Sequence, residues 1–276
     1  MSITSKIGIM QGRLSPRIEG KIQAFPVEHW ESEFRIASEI GFSSIEWIIE
    51  NPLDLNPFFR NKERDTIKDL ISETNVKVDF ICADIFMQVP ITNDVSSMKK
   101  SKELIRQICS QAAEIGARFI EIPFVDNSSI RNIDHSYLID FFNSFENELI
   151  EKDLFINLET DLDSLSFKKL LNNMSERIGA NYDIGNSASL GYDFEEELSS
   201  YGDRINNVHI KDRVLGGSTV EFGTGDSNIK GVLKFLSNLN YDKGIVIQGA
   251  RGVNDIKTAQ NQLEFTIKII NDLINE

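Results

Sequence analysis

The sequence predicts an α/β chain that closes on itself as one (β/α)8 barrel spanning residues 1–276. Three observations lead there. Short apolar runs rich in β-branched residues alternate with amphipathic stretches from one end of the chain to the other. Eight such pairs average about 34 residues each, which suits a closed barrel of roughly 250 residues with few insertions. No linker, low-complexity tract or shift in composition divides the chain, so a single domain is the simplest account.

Taken in order, "KIGIM" reads as the first strand and "VEHWESEFRIASEIG" as its helix, followed by "SSIEWII" with "RDTIKDLISETN". The third and fourth pairs are "KVDFICA" with "SSMKKSKELIRQICSQAAEIG", and "ARFIEIPFV" with "SYLIDFFNSFENELIEK". "LFINLE", "GANYDIG", "NNVHI" and "KGIVIQ" supply four more strands, each with a helical pattern after it, ending in "IKTAQNQLEFTIKIINDLINE". Glycine or asparagine stops several helices just before the next strand, as in "EIGFSSI", "EIGARFI" and "NLNYDKGIVI"; those residues suit a left-handed cap. A doubly wound open sheet is the competing architecture. It would need a glycine-rich phosphate turn after the first strand, and "GIMQGRL" is not one.

Composition narrows the function classes. The formal charge of -14 and the pI near 4.8 argue against a nucleic-acid partner, which needs a surplus of lysine and arginine. Cys82 and Cys109 sit in apolar contexts without metal-ligand spacing, and "MSITSKIGIMQGRL" lacks the regions of a signal peptide. With no run long enough to span a bilayer, the expectation is a reducing, cytoplasmic setting without a membrane partner. A homo-oligomer stays open at this level.

In a (β/α)8 barrel, polar residues at the C-terminal ends of the strands converge on one pocket. The fifth strand ends "FINLETD", placing Glu159; the sixth ends "NYDIGN", placing Asp183; the seventh ends "VHIKDR", placing His209; the eighth ends "VIQGAR", placing Gln248. Two carboxylates, an imidazole and an amide oxygen form a mixed O/N set suited to one divalent ion such as Mn²⁺, Mg²⁺, Co²⁺ or Zn²⁺. An ion there can polarise a carbonyl and stabilise an enediolate while a carboxylate moves the proton, which is sugar isomerisation chemistry. Candidate substrate contacts are Glu46, Trp47 as a stacking platform, Glu121 and Asn186, with Arg13, Lys211, Arg213 and Arg251 as cations after the first, seventh and eighth strands. The loop "EFGTGDSN" either offers N–H groups to an anion or makes a tight turn. Free sugar and sugar phosphate both remain open, and His29 and His135 have no partners that suggest catalysis.

The ordered set "GIMQGRL", "IEW", "LETD", "YDIGN", "HIKD" and "QGARG" resembles the xylose-isomerase-like TIM barrel family of sugar and sugar-phosphate isomerases and epimerases, over essentially the whole chain. The resemblance implies a divalent-metal site at Glu159, Asp183, His209 and the eighth-strand position, with Glu159 as the proton-transfer base. Gln248 departs from the pattern, since many relatives carry a second glutamate there. An amide oxygen can coordinate, yet the amide exchanges no proton at neutral pH. Epimerisation usually needs acids on both faces, whereas one base suffices for a suprafacial aldose–ketose isomerisation, so the reading leans to isomerase. A dehydratase, a base supplied by Glu121, a non-catalytic sugar-binding barrel and a type IV abasic-site endonuclease are the alternatives. The last needs many histidines for three zinc ions, and this chain has three histidines in all.

Overall fold

The structure, a computed structural model, describes residues 7–275. Lys6, which opens the first predicted strand, the remaining residues before it on which the signal-peptide reading partly rests, and Glu276 lie outside the described residues. Eight parallel strands form the barrel: β1 (Ile7–Met10), β2 (Ser44–Ile48), β3 (Lys77–Cys82), β4 (Phe119–Phe124), β5 (Phe155–Thr160), β6 (Ile178–Asp183), β7 (Ile205–Ile210) and β8 (Gly244–Ile247). They follow sequence order around the cylinder, and β1 closes it by pairing with both β8 and β2. Each predicted strand therefore has its counterpart.

The helices that wrap the barrel are α1 (Trp30–Ile40), α2 (Asn61–Thr74), the single turn α3 (Ile85–Gln88), α4 (Val95–Ile115), α5 (Ser136–Asn143), α6 (Glu146–Glu151), α7 (Ser164–Leu171), α8 (Ile184–Leu190), α9 (Phe194–Tyr201), α10 (Ile229–Asn238) and α11 (Asp255–Asn275). Gly41, Gly116 and Asn240 all have positive φ, so the expected left-handed stops are present. One predicted helix is two: "SYLIDFFNSFENELIEK" breaks between α5 and α6. There the Ser144 hydroxyl donates to the Phe141 carbonyl at 2.6 Å and the Phe145 N–H tightens onto Phe142, a local competition that bends or ends a helix.

Side chains on a strand alternate between the barrel interior and the helices. At the N-terminal end, Phe80, Phe119 and Phe155 lie side by side on β3, β4 and β5 with ring centroids 5.1 and 5.6 Å apart. Phe80 reaches across to β8, where Gly244 leaves the room; a Cβ there would lie 1.9 Å from the ring. Above this aromatic floor the interior turns polar, with Glu46, Glu121, Asn157, Asn181, Asn207 and His209 all buried. Trp47, the neighbour of Glu46, therefore points the other way. Its ring packs on Phe25, Trp30 and Phe34, and its N–H donates to Asn56.

Among the described residues, no helix is long and apolar enough to cross a membrane. The C-terminal mouth is covered on one side by the loop joining β1 to α1. Glu33 on α1 accepts the N–H groups of Gly12 and Leu14, each at 3.0 Å, and so ties the loop's start to its own helix.

Candidate functional site

His209 is central. It faces Asp183 in the β6–β7 register and Val246 in the β7–β8 register, and it is 0% exposed. Its Nε2 lies 2.7 Å from Glu46 Oε2 and 3.1 Å from Glu121 Oε2. Where the facing carboxylates are ionised they only accept, so Nε2 then carries the proton. Its Nδ1 lies 3.2 Å from Asn181 Nδ2, with Glu159 Oε2 at 3.6 Å and Asp183 Oδ2 at 3.9 Å beyond. Burial disfavours the imidazolium, but Glu121 and Glu46 together outweigh it and hold the ring's pKa well above the ordinary value.

The carboxylates around the ring are crowded. Burial pushes the Glu121 carboxyl up to about 7. Glu159 is held well above the carboxylate range by burial, Glu121 and Asp183. Amides orient the Glu159 carboxylate: Asn181 Nδ2 donates to Oε2 at 2.8 Å and Asn186 Nδ2 donates to Oε1. Asp183 caps α8 through the Asn186 N–H at 2.8 Å and accepts Lys211 Nζ at 2.6 Å on its other oxygen.

Most predicted cations are held by the protein itself. Arg13 is buried and donates to the carbonyls of Ile22 and Gly249 and to Gln23 Oε1. Arg251 holds the Ser15 carbonyl and Asp255. Arg213 donates to Asn186 Oδ1 at 2.7 Å and to the Gly217 carbonyl. Of the four, Lys211 and Arg213 line the mouth cavity, whereas Arg13 and Arg251 pin the loops beside it. The "EFGTGDSN" loop resolves as a turn: the N–H groups of Gly223, Gly225 and Ser227 are accepted by Asp212, at 2.7, 3.1 and 3.1 Å.

The cavity holds about 370 Å³ and is lined by Glu121, Glu159, Asn186, Lys211, Arg213 and Gln248 together with Lys21, Gln23, Glu50, Asp84 and Asp126. Of the predicted site residues, Glu159, Asp183, His209, Glu46 and Glu121 form one buried cluster, joined at the rim by Gln248, Asn186, Lys211 and Arg213. Trp47, read from sequence as a stacking platform, lies behind the sheet, because a residue adjacent to inward Glu46 must face outward. Strand parity held the signal for Asn181, two residues before Asp183. Gln23, in the long first loop, left none. A larger surface groove of about 460 Å³, between the loops after β3 and β4, carries none of this cluster. His29 sits at the start of α1 and His135 Nε2 contacts the Ile130 carbonyl, both away from the cavity.

The donor set fits a divalent cation. Glu159, Asp183 and His209 offer ligand atoms that all lie within 4.8 Å of one another, and separations of 3.6 and 3.9 Å are close to the ~3–3.5 Å edge that bonds of about 2.1 Å require. Among the described residues the buried Oε1 of Gln248 has no partner, which suits an acceptor awaiting one. Glu46 on Nε2 is the carboxylate support that fixes a ligating imidazole.

Fold and site thus define a barrel with a carboxylate–imidazole cluster at its C-terminal mouth. A family model described as xylose isomerase-like TIM barrel matches residues 34–269, and the chain belongs to that family. Solved structures agree on the fold. An L-ribulose 3-epimerase superposes with a TM-score of 0.77 at 14% identity, covering 100% of this chain and 96% of that one. A D-psicose 3-epimerase from Clostridium cellulolyticum H10, solved with D-tagatose, gives 0.76 at 12% identity over 96% and 99% of the two chains. The IolI protein, solved with a bound zinc atom, gives 0.74 at 13% identity over 98% of each. No curated protein matches the chain in sequence.

Proposed function

We propose that the chain is a divalent-metal-dependent sugar isomerase or epimerase, with aldose–ketose isomerisation of an unphosphorylated sugar as the preferred reaction. The carrying observation is the geometry of His209: Nε2 is engaged by Glu46, and Nδ1 is turned to Glu159 and Asp183. Glu159, Asp183 and His209 would hold the ion, with the Gln248 amide oxygen as a neutral ligand or a contact to a sugar hydroxyl. When bound, the ion supplies Lewis-acid polarisation of a carbonyl next to a hydroxyl. The Glu159 carboxylate takes the proton from the hydroxyl-bearing carbon beside that carbonyl and returns it to the former carbonyl carbon, while the hydroxyl proton passes to the former carbonyl oxygen. Burial and the neighbouring Glu121 and Asp183 carboxylates raise the pKa of Glu159, which strengthens it as a base. Asn181 and Asn186 keep the carboxylate aimed during both transfers.

Gln248 supports isomerisation over epimerisation, because an amide at the eighth-strand position supplies no acid on the opposite face. The epimerase names of the superposed structures favour the other outcome, so product identity is the discriminating measurement. An unphosphorylated substrate is supported by the commitment of Arg13, Arg213, Arg251 and Lys211 to protein acceptors and by Glu50, Asp84 and Asp126 in the cavity lining. Incubating Mn²⁺-loaded protein with free and phosphorylated sugars in D₂O tests the reading by NMR. Turnover or carbon-bound deuterium is expected with a free sugar; a panel that yields neither sinks it.

A further inference from the structure

Position 248 is embedded in a chain of hydrogen bonds whose polarity can be worked out from its two ends. At one end Arg13, which can only donate, places Nη2 3.3 Å from Gln23 Oε1. At the other, Asp84 Oδ2 accepts Gln23 Nε2 at 2.7 Å, while Asp84 Oδ1 already accepts the Cys82 thiol at 3.2 Å. Both ends give the Gln23 amide the same orientation, with oxygen toward Arg13 and nitrogen toward Asp84. Gln248 must therefore present its own nitrogen to Gln23 Oε1, and it does so at 2.9 Å. That leaves Gln248 Oε1 buried, without a partner among the described residues, on a residue only 6% exposed that lines the cavity.

We infer that the Arg13–Gln23–Asp84 chain fixes position 248 as a neutral residue presenting an acceptor oxygen to the cavity, which makes Gln23 and Asp84 positioning residues for ligand or hydroxyl binding. The inference rests on this cavity being the functional site. It turns the replacement of a carboxylate by Gln248 into a built feature of the chain. A carboxylate at 248 would set oxygen against Gln23 Oε1, and turning Gln23 over would set its nitrogen against Arg13 and its oxygen against Asp84.

A double-mutant cycle with Gln248→Glu and Asp84→Asn tests this by thermal unfolding at pH 8 in chelator. In Asp84→Asn the Cys82 thiol holds the amide oxygen, so the new NH₂ faces Gln23 and turns it over. The turned amide then donates to a carboxylate at 248, and Arg13 loses only one of its three acceptors. Each single substitution is expected to lower the Tm by about 5 °C, from buried groups facing like partners. The double variant is expected to unfold above the lower of the two singles. Additive losses, or a Gln248→Glu variant as stable as wild type, would overturn the inference. Should a single variant fail to fold, a neutron structure of the wild-type protein reads the same orientation: deuterons on the Gln248 atom facing Gln23 support it, and an oxygen there overturns it. Calorimetric titration of wild-type protein with Mn²⁺ tests the metal reading separately. Absence of heat would remove that reading and leave the result of the cycle standing.

Discussion

At the scale of single residues, Glu159 and Glu33 show how one residue type serves two purposes through its surroundings. Glu159 is buried beside like charges and lines the cavity, the surroundings on which the proposed proton-transfer role rests. Glu159→Gln is expected to lower kcat by about 10²- to 10⁴-fold, read by steady-state kinetics on whichever sugar turns over. Glu33 is also buried, but it holds the N–H groups of Gly12 and Leu14 and does not line the mouth cavity. Burial pushes its carboxyl up to about 6 against an ordinary value of 4.5. The neutral form is thus favoured on folding, and its contribution is full below the unfolded value and is lost as pH rises through about 6. The stability difference between wild type and Glu33→Gln should change by on the order of 2 kcal/mol between pH 4 and pH 7, measured by denaturant unfolding, with wild type losing ground as pH rises.

Among the elements, the loop after β7 is decided by one aspartate. "HIKD" places His209 inward and ends with Asp212, whose oxygens gather Gly223, Gly225 and Ser227 before α10 begins. Read as sequence, the same glycines fit an anion cradle or a turn; the difference lies in which acceptor the N–H groups already have. Asp212→Ala should raise the hydrogen-exchange rates of those three amides at least about tenfold, because each loses a charge-assisted bond. Unchanged protection would mean that the loop is held by something else. The break between α5 and α6 is a second case: the apolar periodicity runs through it, and a single serine hydroxyl competing for the Phe141 carbonyl ends the first helix.

For the whole molecule, the barrel concentrates negative charge at its centre. Glu46, Glu121, Glu159 and Asp183 face one imidazole and one lysine. A cation that binds this cluster only in the folded state stabilises the entire fold. Mn²⁺ at 100 times its Kd is expected to add about 2.7 kcal/mol, seen as a rise in Tm of several degrees. In Asp183→Asn that rise should shrink or vanish. An equal rise in both proteins would place the ion elsewhere.

The fold was legible because strand and helix periodicity, left-handed stops and unit length are local properties of the chain. Strand ends also gave Glu159, Asp183 and His209, since a barrel brings all its C-terminal strand ends to one mouth. The same parity, applied strictly, sends Trp47 to the helices once Glu46 is inward. The partners were not legible. Arg13 reaches the Gly249 carbonyl and Arg251 the Ser15 carbonyl, each across 236 residues of sequence, and Gln23 reaches Gln248 across 225. The order of residues alone settled which chemical groups the barrel would carry to its mouth. Folding in three dimensions then settled which were already satisfied and which, like the Gln248 oxygen, were left without a partner among the described residues, because hydrogen-bond commitment depends on neighbours that barrel closure alone brings together.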